Sequence, residues 1–156
     1  MNKELKKIKP EDIYVSRLKG KRVRNEEGWE RMEELPHVFQ PLGDPLLDCV
    51  GELLLNGPIP TVQQLAESLN ATVKELNVYF GLRTGMGARE FLSAYKMLIA
   101  KELLSSTNLT IEEIGKRCSF SGGKAFTKFF LRNMNMGPAT YRRRNRPANY
   151  RTLYMS

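Results

Sequence analysis

Histidine and cysteine are scarce in this 156-residue chain: His37 stands alone, and Cys49 and Cys118 lie far apart. That inventory excludes a small secreted disulfide framework and a four-ligand Cys/His zinc site. His37 follows Pro36 in a loop-like segment with no acid–base partner placed by the sequence, and no nucleophile–base pair or phosphate-binding glycine loop occurs elsewhere. An enzymatic reading is therefore rejected, with no catalytic residue, metal or cofactor expected. Long apolar runs are missing too. None approaches the ~20 residues needed to cross a bilayer, and the start, Met1–Lys6, lacks the apolar core of a signal peptide. The expectation is a reduced, cytosolic protein without a membrane partner, in which Cys49 and Cys118 act as small buried hydrophobes. At 41% hydrophobic residues, the chain can fill the core of one domain or two small lobes.

The last absence is of one charge sign. Residues 116–156 hold ten Lys and Arg and no Asp or Glu, whereas residues 44–115 hold five basic and nine acidic side chains, in a chain of net charge +8. Such segregation makes a local positive field, the footprint of a polyanion-facing surface.

Residues 1–43 read as a partly ordered N-terminal arm, interrupted by Pro10, Gly20, Gly28, Pro36, Pro41 and Gly43. Within it, Ile13–Val15 with Leu18 forms one short ordered piece, and a helix around Glu26–Leu35 carrying Trp29 and Met32 forms another. Lys19–Arg24 between them is a basic cluster, read either as an exposed loop or as a phosphate contact. From Asp44 the pattern turns helical. Asp44 and Pro45 start a helix running to Leu55, Thr61 caps Val62–Leu69, and Thr72 caps a helix to about Arg83. Residues 88–105 form the longest helix, apolar on several sides through Phe91, Leu92, Tyr95, Met97, Leu98, Ile99, Leu103 and Leu104, as a strut between two lobes would be. With no period-two strand in evidence, the class is all-α.

The chain repeats itself. Thr61–Ala66 (TVQQLA) matches Thr110–Gly115 (TIEEIG) at an offset of 49, and Leu76, Phe80 and Phe91 match Phe126, Phe130 and Tyr141 at an offset of 50. Each copy reads as a capped helix, a tight turn and a second helix: a helix-turn-helix unit. Ala66 and Gly115 are the small residues across which the second helix packs. Asn70 and Ser119 occupy the turn, where a positive φ would suit asparagine better than serine.

These residues resemble the DNA-binding domain of AraC/XylS-type transcription regulators. The similarity runs from about Asp44 to Arg144 and is densest in Leu103–Ile114, continuing through Phe120-Ser121, Phe126, Phe129-Phe130 and Pro138–Arg142. Departures from the family pattern are Gly115 for alanine, Ser119 and Asn135 for glycine, Lys96 for arginine, and Gly81 and Leu131 where a basic residue is usual. The resemblance implies two helix-turn-helix subdomains, 44–87 and 106–146, joined by the linker helix 88–105 and followed by a tail, 147–156. It implies a stand-alone short member of the family, acting on double-stranded DNA as a monomer, with RNA polymerase as a further candidate partner.

In such a unit the second helix enters the major groove and its exposed N-terminal residues reach base edges. The candidate base contacts are Val73, Lys74, Asn77 and Val78 in the first unit and Gly123, Lys124 and Lys128 in the second. Asn77 suits adenine, Val78 a thymine methyl, and the lysines guanine. The glycine pair Gly122-Gly123 permits close approach to the DNA backbone. Phosphate candidates are Thr72, Thr127, Arg132, Arg142, Arg143 and Arg144, with Arg146 beyond them. The competing reading, from another class, is a protein-interaction module that keeps the tandem fold and binds DNA weakly.

Overall fold

The computed structural model describes residues 6–18, 20–24, 26–34, 37–146 and 154–155. Contacts divide the chain into two compact units, Met1–Tyr14 with Phe39–Lys96, and Val15–Val38 with Met97–Ser156.

In the first unit, α1 (Pro10–Ile13) is a single turn that buries Ile13. Helix α2 (Pro45–Asn56) starts at Asp44, whose side chain accepts from the Leu47 N–H, with Pro45 at the first helical position. Its buried stripe is Leu47, Val50, Gly51 and Leu54. Gly51 is small because the Phe39 ring lies where a side chain would start: a Cβ there would overlap the ring. Cys49 falls off that stripe and is exposed, contrary to expectation. Helix α3 (Val62–Ser68) opens with a reciprocal capping box between Thr61 and Gln64, and α4 (Val73–Thr84) ends at Gly85, whose φ is 78°. The turn between α3 and α4 places Asn70 at φ 53°. Helix α5 (Ala88–Ser106) contributes Phe91 and Tyr95 to this unit, both fully buried, and Tyr95 meets the Tyr14 ring edge-on at 5.5 Å.

The second unit begins within α5, with Ile99, Leu103 and Leu104 buried. Helix α6 (Ile111–Arg117) repeats the capping box, here between Thr110 and Glu113. Helices α7 (Gly123–Met134) and α8 (Pro138–Asn145) follow. The core holds Ile114, Cys118, Phe126 and Phe130, so Cys118 is buried as expected. Ser119 adopts φ 67°, the left-handed conformation of Asn70; the two turns share one shape, at a cost of about 1 kcal/mol for a serine.

The helical class holds for the body of the chain, but the arm departs from it. Gly20–Arg24 (β1) and Glu30–Glu34 (β2) pair antiparallel, and Tyr154–Met155 (β3) pairs with Gly20–Lys21 on the other side of β1. Where a helix is expected around Glu26–Leu35 and a basic loop over Lys19–Arg24, the described residues Gly20–Arg24 and Glu30–Glu34 are paired strands. Gly28, at φ 89°, reverses the chain at residues 26–28, and β1 supplies backbone partners distant enough to be invisible to a local pattern. Nor does the stretch before Asp44 stand apart. Its start bonds to α4 through Ile8 N–H and the Arg83 carbonyl at 2.8 Å, and its continuation bonds to α5 through Arg17 N–H and Glu102 Oε1 at 2.6 Å. Most of the tail, 147–153 and 156, lies outside the described residues.

Candidate nucleic-acid interface

Both groove candidates are twelve-residue helices anchored by aromatic side chains. Phe80 on α4 meets Phe91 edge-on at 5.1 Å and 73°, and Phe130 on α7 meets Tyr141 at 5.3 Å and 72°. The offset of 50 thus relates equivalent rings as well as equivalent letters. Burial raises the Tyr141 phenol above its ordinary pKa, so it stays neutral at pH 7.

The buried side of α4 is Leu76, Phe80 and Thr84, and the 3.6-residue period sends Lys74, Val78, Gly81 and Leu82 outward. All four are exposed, Val78 by 58% and Leu82 by 66%. The buried side of α7 is Phe126 and Phe130, and its outward residues are Lys124, Lys128, Leu131 and Arg132, likewise exposed. Position by position, Lys74 corresponds to Lys124, Val78 to Lys128 and Leu82 to Arg132. One outward face carries a single cation; the other carries three.

Several expected contacts are engaged within the chain. Asn77 is exposed, but its Oδ1 accepts from the Ala88 N–H at 3.0 Å and caps α5; a bidentate grip on adenine would have to share that oxygen. The Thr72 hydroxyl accepts from Glu75 N–H at 3.1 Å and donates to Glu75 Oε1 at 3.0 Å, leaving it no proton for a phosphate oxygen. Gly123 donates its N–H to Glu112 Oε2 at 2.6 Å. The space beside the Gly122-Gly123 pair is therefore filled by the Glu112 carboxylate, from which a Cβ at either glycine would lie under 3 Å, and Gly123 has no side chain or spare N–H for a base. Lys116 stands 3.9 Å from the same carboxylate.

The arginines of α8 divide. Arg142 Nε donates to the Leu104 carbonyl at 3.0 Å and Arg146 donates to the Thr107 carbonyl at 2.6 Å, so both cap the end of α5 and are half-buried. Where phosphate clamps are expected, both guanidiniums thus spend a donor within the chain. Arg143 and Arg144 are exposed, Thr127 is half-buried on α7, and Val73 is 40% exposed.

Two features eluded sequence reasoning. Leu82 lies on the same face as Lys74 and Val78, and the helical period could have located it. The other is a partly buried cluster behind α4. Asp44 Oδ1 accepts from Tyr79 Oη at 2.8 Å and Oδ2 from Arg83 Nε at 2.6 Å, besides capping α2. Burial alone would raise the Asp44 carboxyl, but the Arg83, Tyr79 and Leu47 hydrogen bonds prevail and hold it below the ordinary value. Burial and the Asp44 carboxylate raise the Tyr79 phenol, while the hydrogen bond to Asp44 raises the Arg83 guanidinium.

Among the described residues no cluster of His, Cys, Asp and Glu could hold a metal, and no helix is long and apolar enough to cross a membrane. His37 is exposed.

A family model described as a helix-turn-helix domain matches residues 65–144. The transcriptional activator RhaR of Enterobacter sp. (strain 638) is 29% identical over 87 residues, covering 56% of this chain and 31% of the activator. The chain thus spans about a third of the length of the curated relatives it matches. Among solved structures, the C-terminal domain of AraT, a response regulator from Geobacillus stearothermophilus, is 31% identical with a TM-score of 0.54, covering 58% of this chain and 75% of that one. The DNA-binding domain of the global transcriptional factor AdpA, solved with a target DNA, is 26% identical with a TM-score of 0.59, covering 65% and 93%.

Proposed function

Since the chain belongs to the AraC-type helix-turn-helix family, a family of DNA-binding transcription regulators and not of enzymes, we propose that it is a sequence-specific regulator whose α4 and α7 enter neighbouring major grooves of one duplex. The observation that carries this reading is the outward face of α7, where Lys124, Lys128 and Arg132 stand clear of a phenylalanine core in a stretch without a single carboxylate. Lys124 and Lys128 suit guanine O6 and N7, while Lys74 and Val78 suit a base edge and a thymine methyl. Thr127, Arg132, Arg143 and Arg144 suit phosphates. The AdpA domain, solved on a target DNA, supports the assignment. Two units in one chain let a monomer occupy both blocks of a site, and RNA polymerase is a partner that such a regulator would contact.

Selection of bound fragments from random duplex DNA tests this. The expected consensus has two blocks about 10 bp apart, one helical turn, and Lys124→Ala with Lys128→Ala should erase the block read by α7. Selected fragments sharing no block would count against specific readout. A second reading draws on the exposed Val78 and Leu82 of α4, which suit a protein partner as well as a groove. On that reading only the α7 block would emerge.

A further inference from the structure

The comparison of the two groove helices leaves the first unit short of cations. Where α7 shows Lys128 and Arg132, α4 shows Val78 and Leu82. Arg83, the remaining cation of α4 besides Lys74, is turned inward to Asp44 at 2.6 Å. A helix lying in a groove between two phosphate backbones with one outward charge would have little electrostatic hold on it.

The arm brings charge to this place. Its backbone is tied across the C-terminal end of α4 by the bond from Ile8 N–H to the Arg83 carbonyl, 2.8 Å, and Lys7 Nζ donates to the Leu82 carbonyl, also 2.8 Å. Those bonds place Lys7 next to the outward residue Leu82, with Lys6 adjacent and exposed. Both lysines line a cavity of about 320 Å³ with Ile8, Asp12, Leu42 and Arg83. The carboxylates of this neighbourhood already have partners: Asp12 accepts from the Lys9 N–H at 2.8 Å, and Asp44 holds Arg83. Among the described residues neither lysine is in an ion pair. An ammonium has three donors, so Lys7 keeps two after bonding Leu82.

We propose that Lys6 and Lys7 form a phosphate-binding pair that gives the first unit the backbone contacts its own groove helix lacks. The assignment rests on the DNA-binding reading and adds a site to it. The ligand is a DNA phosphate and not a base edge, because bases are reached from the N-terminal part of such a helix and these lysines lie at its other end. Sequence-independent contacts should tie affinity to salt and not to operator sequence.

The test is the salt dependence of binding by the full chain, on a selected duplex and on a random one, for Lys6→Gln and for Lys6→Gln with Lys7→Gln. Glutamine at position 7 removes the charge while keeping an N–H donor, one bond shorter in reach than the lysine it replaces. Each neutralised phosphate contributes about −0.9 to the slope of log K against log salt. The single variant should flatten the slope by about 0.9 and the double by about 1.8, with equal affinity loss on both duplexes and an unchanged melting temperature. Lys6 donates no bond to α4, so an unchanged slope in the single variant would overturn the proposal even if the double variant were destabilised. Absence of duplex binding by the unaltered protein would instead bring down the DNA-binding reading, and this site with it.

Discussion

The first helix-turn-helix unit fixes its groove helix with a buried carboxylate, a phenol and a guanidinium, and turns a nearly neutral face outward. Among the described residues the second has no such cluster. It fixes α7 by bringing it against Gly115, where a Cβ would lie 2.9 Å from both the Gly122 carbonyl and the Phe126 Cβ, and it turns three cations outward. What the copies share is the left-handed turn residue, the capping box, and an edge-on ring pair of almost the same separation. The helix-turn-helix therefore depends on a turn, a cap and a pair of rings, while the means of bracing and the outward chemistry vary between copies. That freedom lets the two outward faces differ in charge while the scaffold behind them stays the same.

The largest effect expected within this comparison follows from removing the first unit's brace. Arg83→Ala leaves the Asp44 carboxylate buried with only Tyr79 and Leu47 N–H as donors, and the loss in urea unfolding should be about 3 kcal/mol. A loss below about 1 kcal/mol, the value of a surface pair, would mean the cluster does not brace α4. The same cluster predicts the acid side of the stability profile. Asp44 titrates in the folded protein below its unfolded value of about 3.9. Its contribution is therefore complete above that pH and is lost as pH falls through the lower, folded value. In Arg83→Ala, thermal melts across that range should lose part of this acid dependence.

The second unit's brace should be nearly as sensitive. Gly115→Ala forces α7 off the Gly122 carbonyl, a backbone atom that cannot swing aside, and should cost about 2 kcal/mol in the same assay. The first copy already carries alanine at the matching position, Ala66, so a variant of unchanged stability would show that the two packings are equivalent after all. Smallest is the turn. Ser119→Gly relieves a left-handed serine and should raise stability by about 1 kcal/mol, whereas Asn70→Gly should change it less, because asparagine tolerates that conformation. Equal responses at the two turns would remove this difference between the copies.

Much of the architecture was legible from the residues. The caps Asp44, Thr61, Thr72 and Thr110 each work within a single turn of chain, so helix starts could be read locally. The offset between copies placed Phe80 and Phe130 in equivalent roles before any coordinates. The hairpin was not legible. Its strands carry no clean alternation, and β1 is stabilised by backbone partners in β2 and in the distant Tyr154–Met155. Cys49 was misplaced because a small apolar residue on an amphipathic helix fits either face until the stripe of Leu47, Val50 and Leu54 is seen against Phe39.

From its sequence alone this protein was determined to be a duplicated helix-turn-helix with its positive charge gathered at one end, since helical period, capping and charge counts depend on residues a few positions apart. Which polar groups remain available to a ligand was decided only by the tertiary structure. Arg142 meets a carbonyl 38 residues away, and Glu112 reaches an N–H 11 residues on, in the neighbouring helix. Lys7 is set beside α4 by a bond spanning 75 residues. A donor's charge is written in its own letter; its partner is set by the packing of distant segments, and no local pattern encodes that.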